Sequence, residues 1–499
     1  MIDKKYKFVS QISNSHPSDL VNIDSAYTLL HTIKDLNLEP WSIIQIFEEN
    51  NCDFYVEEDL WNNAGRLIIE SILKNPAELK FWQEVIIKKI SKIKKNTKRL
   101  TKINFAKLSN MELFKELTEL HSLQKEYFLD TIIFNTPNYV PDGTQKYLGK
   151  VLEELGYAQD KILPILFRSE IDSPIYEYET AIKELALKAV KDKAPLSSNK
   201  LFINEKYKED INKIISEFSW ITASFNGIGK SFSEIVSDTQ EIIKNKNNME
   251  NFIINRISER EKELKQRKEL IEELINKSNN KQKIIIELAI KSAEYMPRLI
   301  DEIMKEAFVT NSLYEEIGKR IGLERSNIKH LNLEEIKSYL IEKKEIDFGN
   351  IEKRQMLSVY LINKGEIIIK TEEEAQQLRD FLKVMKNDSK LKELKGQVAC
   401  KGQGKIITGI ARLVKSIDDM NKVKQGDILI SSRTYPDLLP AMKRSAAIIA
   451  EFNGLLTHAA IVSRELNIPC IVGVNNAMET IKEGDILEID TENNLIKIK

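Results

Sequence analysis

A chain of 499 residues has room for two to four domains at about 150 residues each. Its 75 basic and 76 acidic side chains leave a net charge of −1, which gives no electrostatic basis for a nucleic-acid or anionic-membrane partner. No apolar run reaches about 18 residues, the opening MIDKKYKFVSQISNS lacks an apolar signal core, and Cys52, Cys400 and Cys470 are scattered, so a reducing, cytoplasmic setting without membrane spans is expected.

From residue 1 to about 390 the sequence reads as helix after helix. AGRLIIESILKN, ELKFWQEVIIKKISKIKK and MELFKELTELHSLQKEYFLDTIIF each place apolar residues at i, i+3, i+4 and i+7. TPNYVPDGTQ (136–145) breaks that period with prolines and a glycine and predicts a loop. KAPLSSNK (193–200) predicts a boundary between a helical region over 1–195 and a second over 200–385. Within the second, 240–310 predicts a long helical hairpin that turns at NKSNNK, with Ile257, Leu264 and Ile271 seven apart. Trp41, Trp61, Trp82 and Trp220 suit core packing, and His16, His31, His121 and His330 have no partner at metal-ligand spacing, so no metal site is expected. SFNGIGKSF (224–232) has glycines and a lysine without Walker spacing and reads as a loop.

After a polar, charged stretch at 386–396, expected as a linker, the texture changes. Short β-branched runs alternate with glycine turns in GKIITGIARLV, QGDILISS, SAAIIAEF, IPCIVGV, EGDILEID and NLIKIK, and two helical segments, HAAIVSREL and NAMETI, interleave. A compact α/β domain is therefore expected over 397–499. In it His458 follows a strand and a turn, at the first turn of a helix. Unpaired N–H groups and the positive helix end disfavour protonation there, which keeps an imidazole neutral and nucleophilic, and the same N–H groups stabilise an added anion. Thr457 can cap the helix or bond a phosphoryl oxygen, Ala459 adds no bulk beside the ring, and Gly454 permits the preceding turn.

NGLLTHAAIVSRELNIPCIVG closely resembles the phosphohistidine signature of the PEP-utilising enzyme family, which includes phosphoenolpyruvate synthase, pyruvate phosphate dikinase and rifampicin phosphotransferase. GQVACKGQGKIITGIARLV, QGDILISSRTYPDLLPAMKRSAAIIAE and IKEGDILEIDTENNLIKI are similar to the other parts of that domain, so the resemblance covers about 395–499 with His458 in register. It departs at Asn453, where the family has the first glycine of a pair, and at Leu456, often a regulatory threonine. LYEEIGKRIGLERSNIKHLNLEEIKSYL resembles a helical segment found before this domain in synthase-like members.

The resemblance implies a multidomain chain, mainly α at first and closed by a C-terminal α/β swivelling phosphohistidine domain. It implies a phosphotransferase in which His458 carries a phosphoryl group. Nothing over 1–390 resembles the ATP-grasp domain that loads this histidine in the synthases. ATP and Mg2+ are therefore expected through a separate ATP-grasp partner subunit and not on this chain alone, with a small-molecule acceptor bound by the helical region. The alternative is a regulatory phosphocarrier whose helical region binds a protein partner.

Overall fold

The computed structural model describes residues 6–13, 42–48, 51–129, 137–138, 140, 143–192, 205–223, 229–245, 249–363, 366–384, 393–402, 404–452 and 454–499. The boundary expected at 193–200, Trp41, His16, His31, Asn453 and residues 386–392 of the expected linker lie outside them.

The helical reading of 1–390 requires a correction. Strands β1 (Tyr6–Ser13), β2 (Ile43–Glu48), β3 (Asn51–Glu57), β4 (Leu357–Asn363) and β5 (Glu366–Thr371) form an antiparallel sheet in the order β1-β3-β2-β4-β5. Its central strands are buried on both sides. Ile43, Phe47, Cys52, Val56, Tyr360 and Ile362 enter one core, and Ile44, Ile46, Tyr55, Val359 and Leu361 enter another. Two covered faces remove the polar alternation that marks a half-buried strand, which is why IIQIFE and LSVYLIN do not announce themselves as strands. Ile43 stands opposite Ile362, so the sheet joins both of the stretches expected as separate helical regions.

The helical body is threaded by Asn280–Ile321, whose 42 residues extend about 63 Å at 1.5 Å per residue. Asn279 and Gln282 form a capping box at its start, and Gly322 ends it in a left-handed turn with φ 74°. Ile286 and Ala289 meet one cluster, Met296 and Leu299 a second, and Leu313 and Ile317 a third, so one helix ties successive cores together. Met249–Lys277 precedes it across Ser278 and Asn279. Trp61 and Trp220 are buried in cores, and the buried His121 ring meets the Tyr314 hydroxyl at 2.9 Å. Among the described residues no helix is long and apolar enough to cross a membrane.

The C-terminal unit is an eight-stranded mixed sheet in the order β6-β13-β12-β8-β9-β10-β11-β7. Its strands are β6 (Glu393–Lys395), β7 (Gln397–Cys400), β8 (Ile406–Leu413), β9 (Ile428–Ser431), β10 (Ala447–Ala450), β11 (Cys470–Val472), β12 (Ile486–Asp490) and β13 (Leu495–Ile498). Strands β8, β9, β10 and β11 are parallel neighbours; β7, β12, β13 and β6 add antiparallel edges. Glu393–Lys395 pairs with β13, so the last part of the expected linker belongs to this sheet. A Cβ on Gly396 would come within 2.7 Å of Val474, Ile471 and the Val472 carbonyl, so close packing inside the domain requires a glycine there.

One face of this sheet is sealed within the domain, where Ile428, Ile449, Leu487 and Ile489 pack with Val474, Ala477 and Ile481. The other continues into the helical body. Leu429, Ile448, Ala459 and Val462 share one core with Leu148, Leu163, Ile286 and Ala289. Polar contacts rim this seam: the Gln145 amide donates to Gln397 at 2.6 Å, and Lys443 pairs with Glu179.

Candidate phosphocarrier site

Parallel β9 and β10 end side by side, and the chain leaves each strand towards the same edge of the sheet. Side chains that follow the carboxyl ends of parallel strands converge in α/β folds. Here Arg433 and Thr434 come from the turn after β9, and Gly454, Thr457 and His458 from the crossover between β10 and β11. That crossover contains the helix His458–Leu466.

Thr457 is the N-cap of this helix. Its hydroxyl accepts from the Ala460 N–H at 3.4 Å and donates to the Gly454 carbonyl at 2.9 Å. The buried hydroxyl is thus engaged in holding the turn, as a cap does. His458 is the first helical residue, so the N–H groups of His458 and Ala459 have no acceptor within the helix. Ala459 and Ala460 are buried against the sheet, where larger side chains would lift the helix start off β10 and β11.

Gly454 has φ 126°, a conformation that disfavours side chains. A Cβ there would face Thr457 at 3.6 Å and the Asn138 carbonyl of the helical body at 3.9 Å. Gly454→Ala is expected to lower folding stability by about 1–3 kcal/mol through backbone strain. Urea titration checks this, and an effect below about 0.5 kcal/mol, the scale of a neutral surface change, goes against it.

The His458 ring is fixed on one side and bare on the other. Its Nδ1 lies 3.0 Å from the buried Thr434 hydroxyl. Its Nε2 is buried and meets no hydrogen-bond partner among the described residues. Burial first, with the Arg433 charge adding to it, pulls the imidazole from 6.5 down to about 3, so the ring is neutral at physiological pH. Arg433 is held over the Phe452 ring at 4.4 Å, with Tyr435 at 5.9 Å. Burial raises the Tyr435 phenol, with Arg433 opposing and Cys52 of β3 adding to it.

The sequence singles out His458, Thr457, Ala459 and Gly454, and the structure brings all four to one turn. Thr434 and Arg433 are the additions. They lie in the quoted SSRTYPDLLP run, but only the parallel register of β9 and β10 places them beside the histidine. Among the described residues no group of three His, Cys, Asp or Glu side chains is placed to hold a metal ion. Lys230, from the glycine-containing 224–232 stretch, is buried and paired with Asp238 at 2.8 Å.

Residues 423–494 match the family model of the PEP-utilising enzyme, mobile domain. The chain is 42% identical over 103 residues to a probable phosphoenolpyruvate synthase of Methanothermobacter thermautotrophicus, covering 20% of this chain and 15% of that protein. It is 31% identical over 205 residues to a probable phosphoenolpyruvate synthase of Archaeoglobus fulgidus, 40% of this chain and 27% of that one. With the phosphoenolpyruvate synthase of Pyrococcus furiosus the identity is 44% over 103 residues, 21% and 12% of the two lengths. The chain thus spans under a third of the length of these relatives. The 205-residue match is longer than the whole C-terminal domain, so that likeness extends into the helical body.

Proposed function

Taking residues 423–494 as the mobile domain of a PEP-utilising enzyme, we propose that this chain is the phosphocarrier component of a dikinase-like phosphotransferase. His458 receives a phosphoryl group from ATP held with Mg2+ on a separate ATP-grasp partner. It passes that group to a small-molecule acceptor bound by the helical body. The observation that carries this reading is the His458 ring itself: neutral, anchored through Nδ1, with an unpartnered Nε2 at a helix start.

In the Nδ1–H tautomer the ring donates to the Thr434 oxygen, and Nε2 keeps its lone pair. The lone pair forms the N–P bond as the bond from phosphorus to the nucleotide oxygen breaks. The Thr434 contact persists, because Nδ1 keeps its proton. With Nδ1 protonated and Nε2 bonded to phosphorus the ring becomes an imidazolium, a charge that nearby Arg433 opposes. The Arg433 charge favours the dianionic phosphoryl group, and the unpaired N–H groups at the helix start add to it. In the second step an acceptor oxygen attacks phosphorus, the N–P bond breaks, and its electron pair returns to Nε2. Positioning and charge stabilisation supply the catalysis in both steps.

The test is reconstitution. This chain, an ATP-grasp protein of the synthase type and labelled Mg-ATP should together give acid-labile, base-stable phosphate on this chain, and this chain with Mg-ATP alone should give none. Equal labelling without the partner overturns the split arrangement.

A further inference from the structure

A cavity of about 300 Å³ lies in the seam between the helical body and the C-terminal domain, apart from the His458 pocket. Arg168 and Arg260 line it from the helical body, and Arg464 lines it from the C-terminal domain. Each guanidinium is tied down on one side. Arg168 pairs with Glu263 at 2.7 Å. Arg260 pairs with Asp172 at 3.2 Å and donates to the Ser169 carbonyl at 2.9 Å. Arg464 donates to the Leu455 carbonyl at 2.5 Å.

Each of the three also keeps one buried nitrogen without an acceptor among the described residues: Arg168 Nε, Arg260 Nη1 and Arg464 Nη1. Buried donors on charged groups are almost always satisfied, because an orphan costs about 1–3 kcal/mol or more. Arg267 and Arg354 keep a buried orphan too, but Arg168, Arg260 and Arg464 share one cavity, and a small shift of their side chains would turn the three orphans to a common acceptor there. The Arg260 side chain is 7% exposed, so solvent does not supply that acceptor freely.

We propose that this cavity binds the phosphate group of a small organic phosphate, and that the bound ligand holds the C-terminal domain against the helical body. Phosphate fits better than carboxylate because a terminal phosphate offers three oxygens to donors on three separate segments, whereas a carboxylate offers two. The cavity also carries acids. Glu263 is already engaged by Arg168, Glu465 is buried, and Glu259 is exposed. Burial first, then Arg168, lowers Arg464 to about 10, with Glu465 opposing them. The volume stands at the lower end of small-molecule pockets, which suits a phosphate on a short carbon chain and not a nucleotide.

The site is complete only while the two bodies are together. A ligand that needs both must favour the closed arrangement by the ratio of its affinities for the two states. Arg464 is six residues along the helix that begins at His458, about 9 Å down its axis, so the ligand does not touch the carrier ring. The consequence for transfer rests on the mobile-carrier reading. Binding itself does not.

Calorimetry at low salt with glycerol phosphate as probe tests the site, with glycerol and succinate as controls and neither ATP nor partner present. Saturable binding of glycerol phosphate is expected, with at least tenfold weaker binding of both controls. Arg168→Gln and Arg260→Gln should each weaken it at least tenfold, and His458→Ala should not. Cys400 lines the same cavity and gives a second readout. Glycerol phosphate should slow its modification by a thiol reagent at least fivefold in wild type and not in Arg168→Gln. No saturable binding up to 10 mM, equal binding of succinate, or binding that ignores both arginine substitutions overturns the proposal. None of these outcomes bears on phosphorylation of His458, which the reconstitution tests separately.

Discussion

His458→Ala should incorporate no phosphoryl group under conditions that label the wild-type chain to completion. Thr434→Val should still be labelled, about ten- to a hundredfold more slowly, because it removes a single hydrogen bond, worth on the order of 1–3 kcal/mol where a polar group is left buried. Quench-flow labelling followed by acid and base treatment reads both. Full labelling of His458→Ala would move the carrier elsewhere, and an unchanged rate in Thr434→Val would remove the orienting role of the Nδ1 contact. A pH experiment separates fold from chemistry. A histidine held below its unfolded value of 6.5 contributes stability that is whole above that value and is lost as pH falls towards about 3. Wild type should therefore lose stability relative to His458→Ala by on the order of 1 kcal/mol per pH unit below 6.5. The comparison must be by difference, because other groups titrate too. His121 and His330, both lowered to about 4 by burial, act in the same direction, while Asp301 and Glu306, raised by burial to about 8 and about 7, oppose them.

Locking the seam should be nearly as damaging as removing the histidine. The Gln145 and Gln397 amides touch at 2.6 Å across the two bodies. Cysteines at these positions, in a Cys400→Ser background, can be joined by a short cleavable cross-linker. Nε2 of His458 is buried in the closed arrangement, so a donor on another protein has no line of attack until the domain moves away. Labelling by the partner should fall at least a hundredfold on cross-linking and return on cleavage. The seam is apolar at its centre, with Leu148 and Ile286 against Ala459 and Val462, so opening exposes hydrophobic surface and should be slow enough to limit turnover. A locked protein that labels within twofold of the free one would overturn the swivelling model.

The two halves of the chain differed in how much their sequence disclosed. In the C-terminal domain local rules agreed. Glycine turns bounded short β-branched runs, Thr457 stood at a helix start, and every strand expected from GKIITGIARLV to NLIKIK is present. Thr434 and Arg433 gained their meaning only from the pairing of β9 with β10, which no local pattern encodes. In the helical body the periodic segments were legible for the same local reason. The sheet was not, because β2 and β4 are buried on both faces and each pairs on one side with the other, far along the chain. The arginine cavity was invisible for a related reason: Arg168, Arg260 and Arg464 sit in ordinary amphipathic surroundings, and only packing brings their unpaired nitrogens together.

The pairing of β2 with β4 also governs how the protein can be made. Ile43 and Ile362 face each other although 319 positions separate them (362 − 43). At about 5–20 residues per second, a ribosome adds that stretch in roughly 15–65 s. Throughout that interval β2 has β3 on one side and an open ladder of N–H and C=O groups on the other, with Ile44 and Ile46 uncovered. Such an edge is a template for pairing with another chain. The nascent protein therefore carries an aggregation-prone intermediate built into its topology. Its yield in cells is therefore expected to respond to chaperone capacity and translation speed.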